Sequence, residues 1–247
     1  MKLRLMMGWC ALVATVALGV DVTGNNVCGL MNVPSTAQYT MIAVPWVTVG
    51  GSVDAMAVAN LVKTDTLSEG DQLYYYANGT YYRWVLTSGV WTPTHTTLED
   101  AKGNPVTVLA PEDSYTLPRG TGLFLVRSNT EKEIWLYGQY STKEVSVGVA
   151  KGTVGTPAYT MIANPNAEAY DLKGVKEGCE VGDQILLDDA KTLYTYTEAG
   201  WTKKTTVTKT IGNVERTFKK DTTEGVEIPA GKGAWYVSKG GSPTIVW

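Results

Sequence analysis

Three tyrosines and an arginine in one short stretch are the side chains of this sequence best suited to binding a ligand. Tyr74, Tyr76, Tyr81 and Arg83 fall on the same face of a predicted hairpin. We call this set the tyrosine face. Its rings suit stacking on sugars or docking a partner surface, because each ring gives apolar contact while its hydroxyl stays in water. Packing against the rest of the chain, or plain use of tyrosine as a good strand residue, are the alternatives.

Residues for catalysis are scarce. The one histidine, His95, lies in a polar stretch, and a Ser-His-Asp relay would have to use it. Adjacent acids such as Glu99 and Asp100 point to opposite faces of a strand. An enzyme would need carboxylates that are distant in sequence, such as Asp71 with Asp100 or Asp113. We therefore predict a non-enzymatic protein with no catalytic residues and no cofactor.

Two short motifs superficially resemble metal or phosphate sites, and each occurs twice. Gly70-Asp71-Gln72 recurs as Gly182-Asp183-Gln184, but one aspartate per copy is too few for calcium. We predict that each aspartate caps backbone amides at a hairpin entrance. Gly120-Thr121-Gly122 and Gly231-Lys232-Gly233 are followed by strand-like runs rather than helices, so we predict tight turns there. With so few histidines and cysteines, no zinc site is expected, and no metal site is predicted.

Composition and charge indicate a folded β protein that does not bind nucleic acid. Hydrophobic residues make up 44% of the chain and charged residues 18%, with 14 Tyr and 8 Trp against 2 Phe. The net charge is −3, and it becomes −5 without Lys2 and Arg4. The basic clusters are the pairs Lys203-Lys204 and Lys219-Lys220, which we interpret as solvated strand or loop.

The N-terminus has the pattern of an export signal. Lys2 and Arg4 precede an uncharged run from residue 5 to 20, and Ala17 and Gly19 supply the small residues that a signal peptidase requires. We predict a signal peptide over residues 1–19 rather than a membrane anchor, and a secreted or cell-surface protein with no later membrane span. In that oxidising setting, Cys28 and Cys179 either form a disulfide or remain two buried thiols.

The rest of the chain has the pattern of a tandem duplication. Four motifs recur in the same order at offsets of 110 to 120 residues, which predicts domains over residues 20–140 and 141–247. The matches are Tyr39–Pro45 with Tyr159–Pro165, Gly70–Leu73 with Gly182–Ile185, Trp91-Thr92 with Trp201-Thr202, and Leu117–Gly122 with Ile228–Gly233. No flexible linker separates the copies, so we expect them to pack together.

Within each copy, short strands separated by turn residues predict an antiparallel β-sandwich or barrel-like domain. Asn78-Gly79 is a two-residue hairpin turn, which sets Leu73 opposite Trp84 and Ala77 opposite Thr80. The run from Ser52 to Lys63 is the one helix expected in the first copy, with Ser52 as its N-cap. The predicted core face of the hairpin and its counterparts in the second copy are Leu73, Tyr75, Tyr82 and Trp84 with Ile185, Leu187, Tyr194 and Tyr196.

These motifs together resemble a module of exported bacterial surface proteins. The resemblance rests on Asn-Pro or Val-Pro after a strand, Gly-Asp-Gln before a Tyr-rich hairpin, Gly-Trp or Val-Trp, and Pro-x-Gly-x-Gly before an aromatic strand. It implies an extracellular β module and no catalytic residues. Val44 and Val90 stand where the second copy has Asn164 and Gly200, so the first copy is the less typical one.

We therefore expect a non-enzymatic structural or cell-surface protein, serving as an envelope layer, fibre or adhesive module. The alternative is a secreted carbohydrate-binding module that uses the tyrosine face. The expected partners are a surface glycan or further copies of the chain, the latter through the C-terminal strand Thr244-Ile245-Val246-Trp247. We favour a C-terminal strand that closes its own domain.

Overall fold

The computed structural model describes residues 28–33, 35, 38–47, 55–77, 79–100, 102–112, 116–139, 141, 143–187, 192–211 and 214–247. For residues 55, 206–211 and 214–218 the description covers the backbone and its strand pairing. The predicted signal peptide lies outside these ranges. Within them, no helix has the length and hydrophobicity needed to cross a membrane. Short strands dominate, which confirms the all-β prediction.

Residues 28–139, which we call the first half, form one main sheet and two small antiparallel ribbons. The strands are β1 (Cys28–Val33), β2 (Tyr39–Ala43), β3 (Ala55–Ala57), β4 (Gln72–Ala77), β5 (Thr80–Thr87), β6 (Val90–Pro93), β7 (Thr96–Glu99), β8 (Pro105–Leu109), β9 (Thr116–Pro118), β10 (Gly122–Val126) and β11 (Ile134–Gln139). The main sheet has the order β2-β10-β4-β5-β8-β7, and β6 also pairs with β5. The ribbons are β1-β11 and β3-β9.

Residues 143–247, the second half, are built on the same plan. The strands are β12 (Ser146–Gly148), β13 (Ala158–Ala163), β14 (Tyr170–Asp171), β15 (Gln184–Leu187), β16 (Leu193–Thr197), β17 (Gly200–Ile211), β18 (Val214–Thr222), β19 (Glu227–Ile228), β20 (Gly233–Ser238) and β21 (Thr244–Val246). The main sheet runs β13-β20-β15-β16-β17-β18, and the ribbons are β12-β21 and β14-β19. Six strand pairings of the first half therefore have counterparts in the second, in the same order along the chain.

Each half has its own hydrophobic core between the main sheet and the ribbons. In the first half, Leu73 and Leu125 of the main sheet pack in one cluster with Val33 and Leu136 of the β1-β11 ribbon. The second half has a separate cluster that includes Trp201 and Ile185. Apolar residues at alternate strand positions produce this arrangement, because alternate side chains share one face of a strand.

The hairpin register in the first half is as predicted. Leu73 pairs with Trp84, and the pairing continues to Ala77 with Thr80. Asn78 lies outside the described residues, and Gly79 has the positive φ of 79° that the turn demands. Leu73 and Trp84 are buried, and Tyr75 and Tyr82 pack against the core, as expected of the inner face.

The predicted correspondence between the two hairpins is wrong by two residues on the second strand. Ile185 pairs with Tyr194, so Tyr194 is the counterpart of Trp84. The counterpart of Leu86 is then Tyr196, and both of these pair with a tryptophan of the next strand. A shift of two residues preserves the face, because side chains alternate with a period of two. Tyr194 and Tyr196 are accordingly still part of the core cluster.

Two further expectations need correction. Ser52 lies outside the described residues, and the expected helix reduces to α1 (Val58–Leu61), which follows strand β3. The backbone of Met56 pairs with that of Leu117, so this part of the segment forms a ribbon strand instead of a helix. The main sheet of the first half is also not wholly antiparallel, because β8 runs parallel to β5.

The C-terminal strand closes its own half, which is the favoured alternative. Residues Thr244–Val246 pair with Ser146–Gly148. The amide of Trp247 donates to the carbonyl of Val145 at 2.9 Å. The Trp247 ring packs edge-on against Tyr170, with the ring centroids 4.6 Å apart.

Candidate binding site between the two halves

The repeated Pro-x-Gly-x-Gly motif contains two glycines with different roles. Gly120 and Gly231 have φ of 81° and 67°, the left-handed conformation that the turn into the next strand requires. Gly122 and Gly233 open strands β10 and β20, where backbone of the other half comes close. A Cβ on Gly122 would lie 2.9 Å from the carbonyl oxygen of Ile162.

The contact between the halves is reciprocal. Ile42 of β2 forms an isolated bridge with Lys232, and Ile162 of β13 forms one with Thr121. Ile42 and Ile162 hold the same motif position in their halves, as do Thr121 and Lys232. The first half therefore touches the second as the second touches the first, which is the geometry of an isologous contact.

Two methionines fill this contact. Met41 is fully buried and Met161 is 5% exposed, although each alternates with an isoleucine that faces its own core. Met41 lies against Gly233, and Met161 lies against Gly122. The small glycines let each methionine approach the opposing strand closely.

An aromatic cluster borders the contact and joins the two halves. Trp235 of β20 lies edge-on to Tyr76 with their ring centroids 5.4 Å apart, and edge-on to Tyr159 at 6.3 Å. Phe124 lies 6.5 Å from the same tryptophan. Sequence reasoning did not single out Trp235 or its neighbours Tyr159 and Phe124. The available signal was that Phe124 and Trp235 both stand two residues after the second glycine of the motif.

The tyrosine face divides into two groups in the structure. Tyr76 contacts the second half and packs at a tilt against Tyr81, with the ring centroids 4.8 Å apart, so the interdomain alternative applies to this end. At the other end, Tyr74 and Arg83 both donate to Oε1 of Gln72, at 2.5 Å and 3.1 Å. Burial raises the pKa of the Tyr74 hydroxyl, which the Arg83 guanidinium partly offsets. Burial likewise raises the pKa of Tyr81, with the neighbouring Tyr76 adding to it.

A groove of about 680 Å³ opens where the hairpin of the first half meets strands β12 and β13 of the second. We call it the interdomain groove. Tyr76 of the first half and Tyr159 of the second both line it, and Tyr159 is 52% exposed. The remaining lining residues are Tyr75, Ala77, Gly79, Pro118, Arg119, Thr121, Ser146, Val147, Gly148, Val149, Ala150, Pro157, Ala158, Thr160 and Met161.

Arg119 is the one charged residue in this lining, and its guanidinium is engaged within the protein. It is 6% exposed and donates to the carbonyl oxygens of Ser141, at 2.9 Å, and Lys143. Arg119 thereby holds the segment that connects the halves. The walls of the groove offer aromatic rings, hydroxyls and backbone groups to a ligand.

A second cleft, lined by the second half alone, differs in charge. This smaller cleft of about 360 Å³ has Leu187 at the position that Tyr75 occupies in the larger groove, and it is lined by Lys203, Glu227 and Lys232. Its lining carries charged side chains and has leucine in place of the tyrosine. The two halves therefore share a plan without sharing a site.

The repeated aspartates are buried caps, as predicted. Asp71 is 1% exposed and accepts from the amides of Ser68, at 3.0 Å, and Ser128, at 2.8 Å. Asp183 is fully buried and accepts from the amides of Glu180, at 3.0 Å, and Lys239, at 2.7 Å. Each carboxylate ties the hairpin entrance to the loop after β10 or β20, a long-range link that the sequence did not reveal.

The acids and the histidine considered for catalysis are engaged locally or exposed. Asp100 accepts from the side-chain amide of Asn104 and from the backbone amides of Asn104 and Lys102, and these bonds, the side-chain one foremost, lower its pKa. His95 is exposed between β6 and β7, and Asp113 lies outside the described residues. The described residues contain no group of three or more His, Cys, Asp or Glu arranged to hold a metal ion.

Cys28 and Cys179 are free thiols in the structure rather than a disulfide. Cys28 is exposed at the start of β1. Cys179 packs against the core of the second half, and burial raises the pKa of its thiol. The Tyr236 hydroxyl points to both Cys179, at 3.6 Å, and Asp183, at 2.8 Å. Burial, reinforced by these two hydrogen bonds, raises the pKa of Tyr236.

Comparison with known proteins adds no relative: no family model, curated protein or solved structure matches the chain.

Proposed function

We propose that this chain is a non-enzymatic, exported surface protein that adheres to neutral carbohydrate through the interdomain groove. The observation that carries the proposal is the pair of tyrosines, Tyr76 of the first half and Tyr159 of the second, that line one groove whose one charged residue is already engaged. The volume of about 680 Å³ falls within the roughly 300–1,000 Å³ of small-ligand sites.

The chemistry of a neutral sugar matches this lining. The apolar faces of a sugar ring stack on aromatic rings, while its hydroxyls bond to the hydroxyls of Thr121, Ser146 and Thr160 at the same groove. A charged ligand would lose hydration without gaining a free opposite charge, which disfavours it. The adhesive proposal combines the two functions expected from the sequence.

Export and duplication are parts of the same proposal. The predicted signal peptide over residues 1–19 supports export, and the resemblance to exported surface modules agrees with it. Six recurring strand pairings and the reciprocal contact support an origin by duplication. Buried ionisable groups that serve as caps and ties, such as Asp71 and Arg119, support a structural rather than a catalytic use of charge.

Replacing both Tyr76 and Tyr159 with alanine is expected to weaken glycan retention about thirtyfold, because each ring contributes on the order of 1 kcal/mol of stacking. The measurement is affinity electrophoresis in native gels containing hydroxyethylcellulose, xylan or mannan, with polygalacturonate as the charged comparison. Tyr39→Ala is the matched control, because Tyr39 holds the same motif position as Tyr159, is 54% exposed, and does not line the groove. Equal retention of the double variant and the parent would show that the groove does not bind the glycan.

A structural role in a layer or fibre is the second candidate. Strands β7 and β18 end the two main sheets, and each pairs on one side among the described residues. Edges of this kind can add a strand from a neighbouring chain. We expect such a protein to grow into large assemblies in light scattering as its concentration is raised. A stable monomer at high concentration would exclude this candidate and leave the adhesive one.

A further inference from the structure

The free edges of two strands of the second half, β12 and β13, border the interdomain groove. β12 pairs with β21 and β13 pairs with β20, and among the described residues neither strand has a second strand partner on its other side. Residues of both strands line the groove. A free strand edge carries backbone N–H and C=O groups that no neighbouring strand takes up, and such groups pair readily with another amide.

The register of β12 shows which of its backbone groups lie on the free edge. The amide of Val149 donates to the Pro243 carbonyl at 2.9 Å, so these two residues form a hydrogen-bonded pair. Such pairs alternate with non-hydrogen-bonded pairs along an antiparallel ladder, and Ser146 and Gly148 fall in pairs of the second kind. Both residues are exposed, and both direct their N–H and C=O away from β21.

This edge of β12 is directed towards β13. The amide of Ala150, the next alternate residue along the chain, donates to Oγ1 of Thr160 on β13 at 3.0 Å. Just beyond β13, the amide of Asn164 donates to the carbonyl of Lys232. The same alternation then leaves the N–H and C=O of Tyr159 directed away from β20. The groove therefore has backbone donors and acceptors from two strand edges.

A single secondary amide suits this arrangement. The N–H and C=O of a planar trans amide point in opposite directions, so one amide donates to one strand edge and accepts from the other. An added peptide strand would need a longer series of free pairs than β12 has, because the Ala150 amide is already engaged. Gly148 leaves room for a ligand, since a Cβ there would meet no atom within 4 Å.

We propose that the interdomain groove selects glycans that carry N-acetyl groups, an inference that rests on the carbohydrate-binding function proposed above. The N-acetyl group of an acetamido sugar is a neutral secondary amide, and its methyl group suits the side chains of Val147 and Ala158 in the same lining. A glycan without this group would cover the backbone edge groups and leave them without hydrogen bonds, which weakens its binding.

The test compares two trisaccharides with the same linkage by isothermal titration calorimetry of the purified protein. Tri-N-acetylchitotriose carries an acetamido group on each ring where cellotriose carries a hydroxyl. We expect the acetylated trimer to bind about tenfold more tightly, which corresponds to two additional hydrogen bonds. Equal affinity for the two trimers would overturn the preference and leave the carbohydrate function standing. Binding of neither trimer would overturn both.

Gly148→Pro removes one donor from the free edge of β12. Proline is tolerated where a strand amide faces away from its neighbour, so we expect about fivefold weaker binding of the acetylated trimer and a change of less than about twofold for cellotriose. Gly148→Ala keeps the amide and should keep the preference. Thr244→Pro is the matched proline control, because Thr244 is the cross-strand partner of Gly148 and does not line the groove.

The tyrosine variant separates stacking from amide recognition. Replacing both Tyr76 and Tyr159 with alanine should weaken the two trimers by the same factor, because both have ring faces that stack. A preference that persists in Gly148→Pro, or that is lost equally in Thr244→Pro, would overturn the role of the β12 edge. Displacement of the acetylated trimer by an uncharged peptide of alternating threonine and valine would indicate strand addition and overturn the proposal. The comparison of the two trimers on the parent protein decides the preference even where a proline variant fails to fold.

Discussion

Replacement of Asp183 with alanine is expected to destabilise the protein by about 4 kcal/mol, since a buried donor left unsatisfied costs on the order of 1–3 kcal/mol. The carboxylate accepts from the amides of Glu180 and Lys239 and from the hydroxyl of Tyr236, all within 3.0 Å. Alanine removes the acceptor of all three donors, of which the Tyr236 hydroxyl is buried and the two amides are partly buried. For a chain of this size, the thermal unfolding midpoint should fall by about 10 °C.

Two further variants serve as comparisons for Asp183→Ala. Asp183→Asn keeps the volume but turns one acceptor oxygen into a donor, so it should lose about half as much stability. Asp171→Ala removes an exposed aspartate whose side chain accepts from the Lys173 amide, and it should cost about 1 kcal/mol or less. A thermal unfolding midpoint of Asp183→Ala within about 2 °C of that of the parent would show that the buried carboxylate contributes little to stability.

Adding a single methyl group at Gly122 is expected to destabilise the contact between the halves by about 1–3 kcal/mol. The new Cβ would lie 2.9 Å from the Ile162 carbonyl oxygen, which is backbone and cannot move aside cheaply. Gly233→Ala should cost less, because its Cβ would lie 3.2 Å from the Ile42 carbonyl oxygen. Thermal unfolding reports both losses, and trypsin cleavage at Lys143 reports whether the connection between the halves opens.

Gly148→Ala is the matched control for this prediction. Gly148 is also a strand glycine, and a Cβ there would meet no atom within 4 Å. Alanine at such a position should leave stability unchanged or raise it by up to about 1 kcal/mol, because it restricts the unfolded chain. From most to least stable, the expected order of the variants is therefore Gly148→Ala, Gly233→Ala and Gly122→Ala. Equal stability of Gly122→Ala and Gly148→Ala would contradict a close approach of the two halves.

Local features of the fold follow from the sequence because their determinants are adjacent in the chain. A two-residue turn at Asn78-Gly79 permits one register, and the pairing of Leu73 with Trp84 follows. An aspartate before a hairpin has few uses other than capping, and Asp71 caps the amide of Ser68 three residues away. The turn glycines Gly120 and Gly231 were predicted on the same local grounds.

Where the copies differ in length, local reasoning is less accurate. The connection between the strands of the second hairpin differs in length from that of the first. The predicted partner of Ile185, the counterpart of Leu73, is therefore two residues away from the observed partner, Tyr194. The error did not reach the core, because a shift of two keeps each residue on its face. The helix expected from Ser52 to Lys63 is a larger error, since pairing of Met56 with Leu117 is decided by residues 61 positions apart.

The sequence by itself determined the all-β class, the hairpin register, the capping aspartates and the repeat of motifs, because each depends on neighbouring residues or on comparison within the chain. The tertiary structure alone decided that Tyr76 meets Trp235 across the halves and that a groove opens beside them. It also decided the role of Gly122. A glycine looks the same in the sequence whether open space or the backbone of Ile162 lies beside it. Only the folded chain brings that backbone close to Gly122.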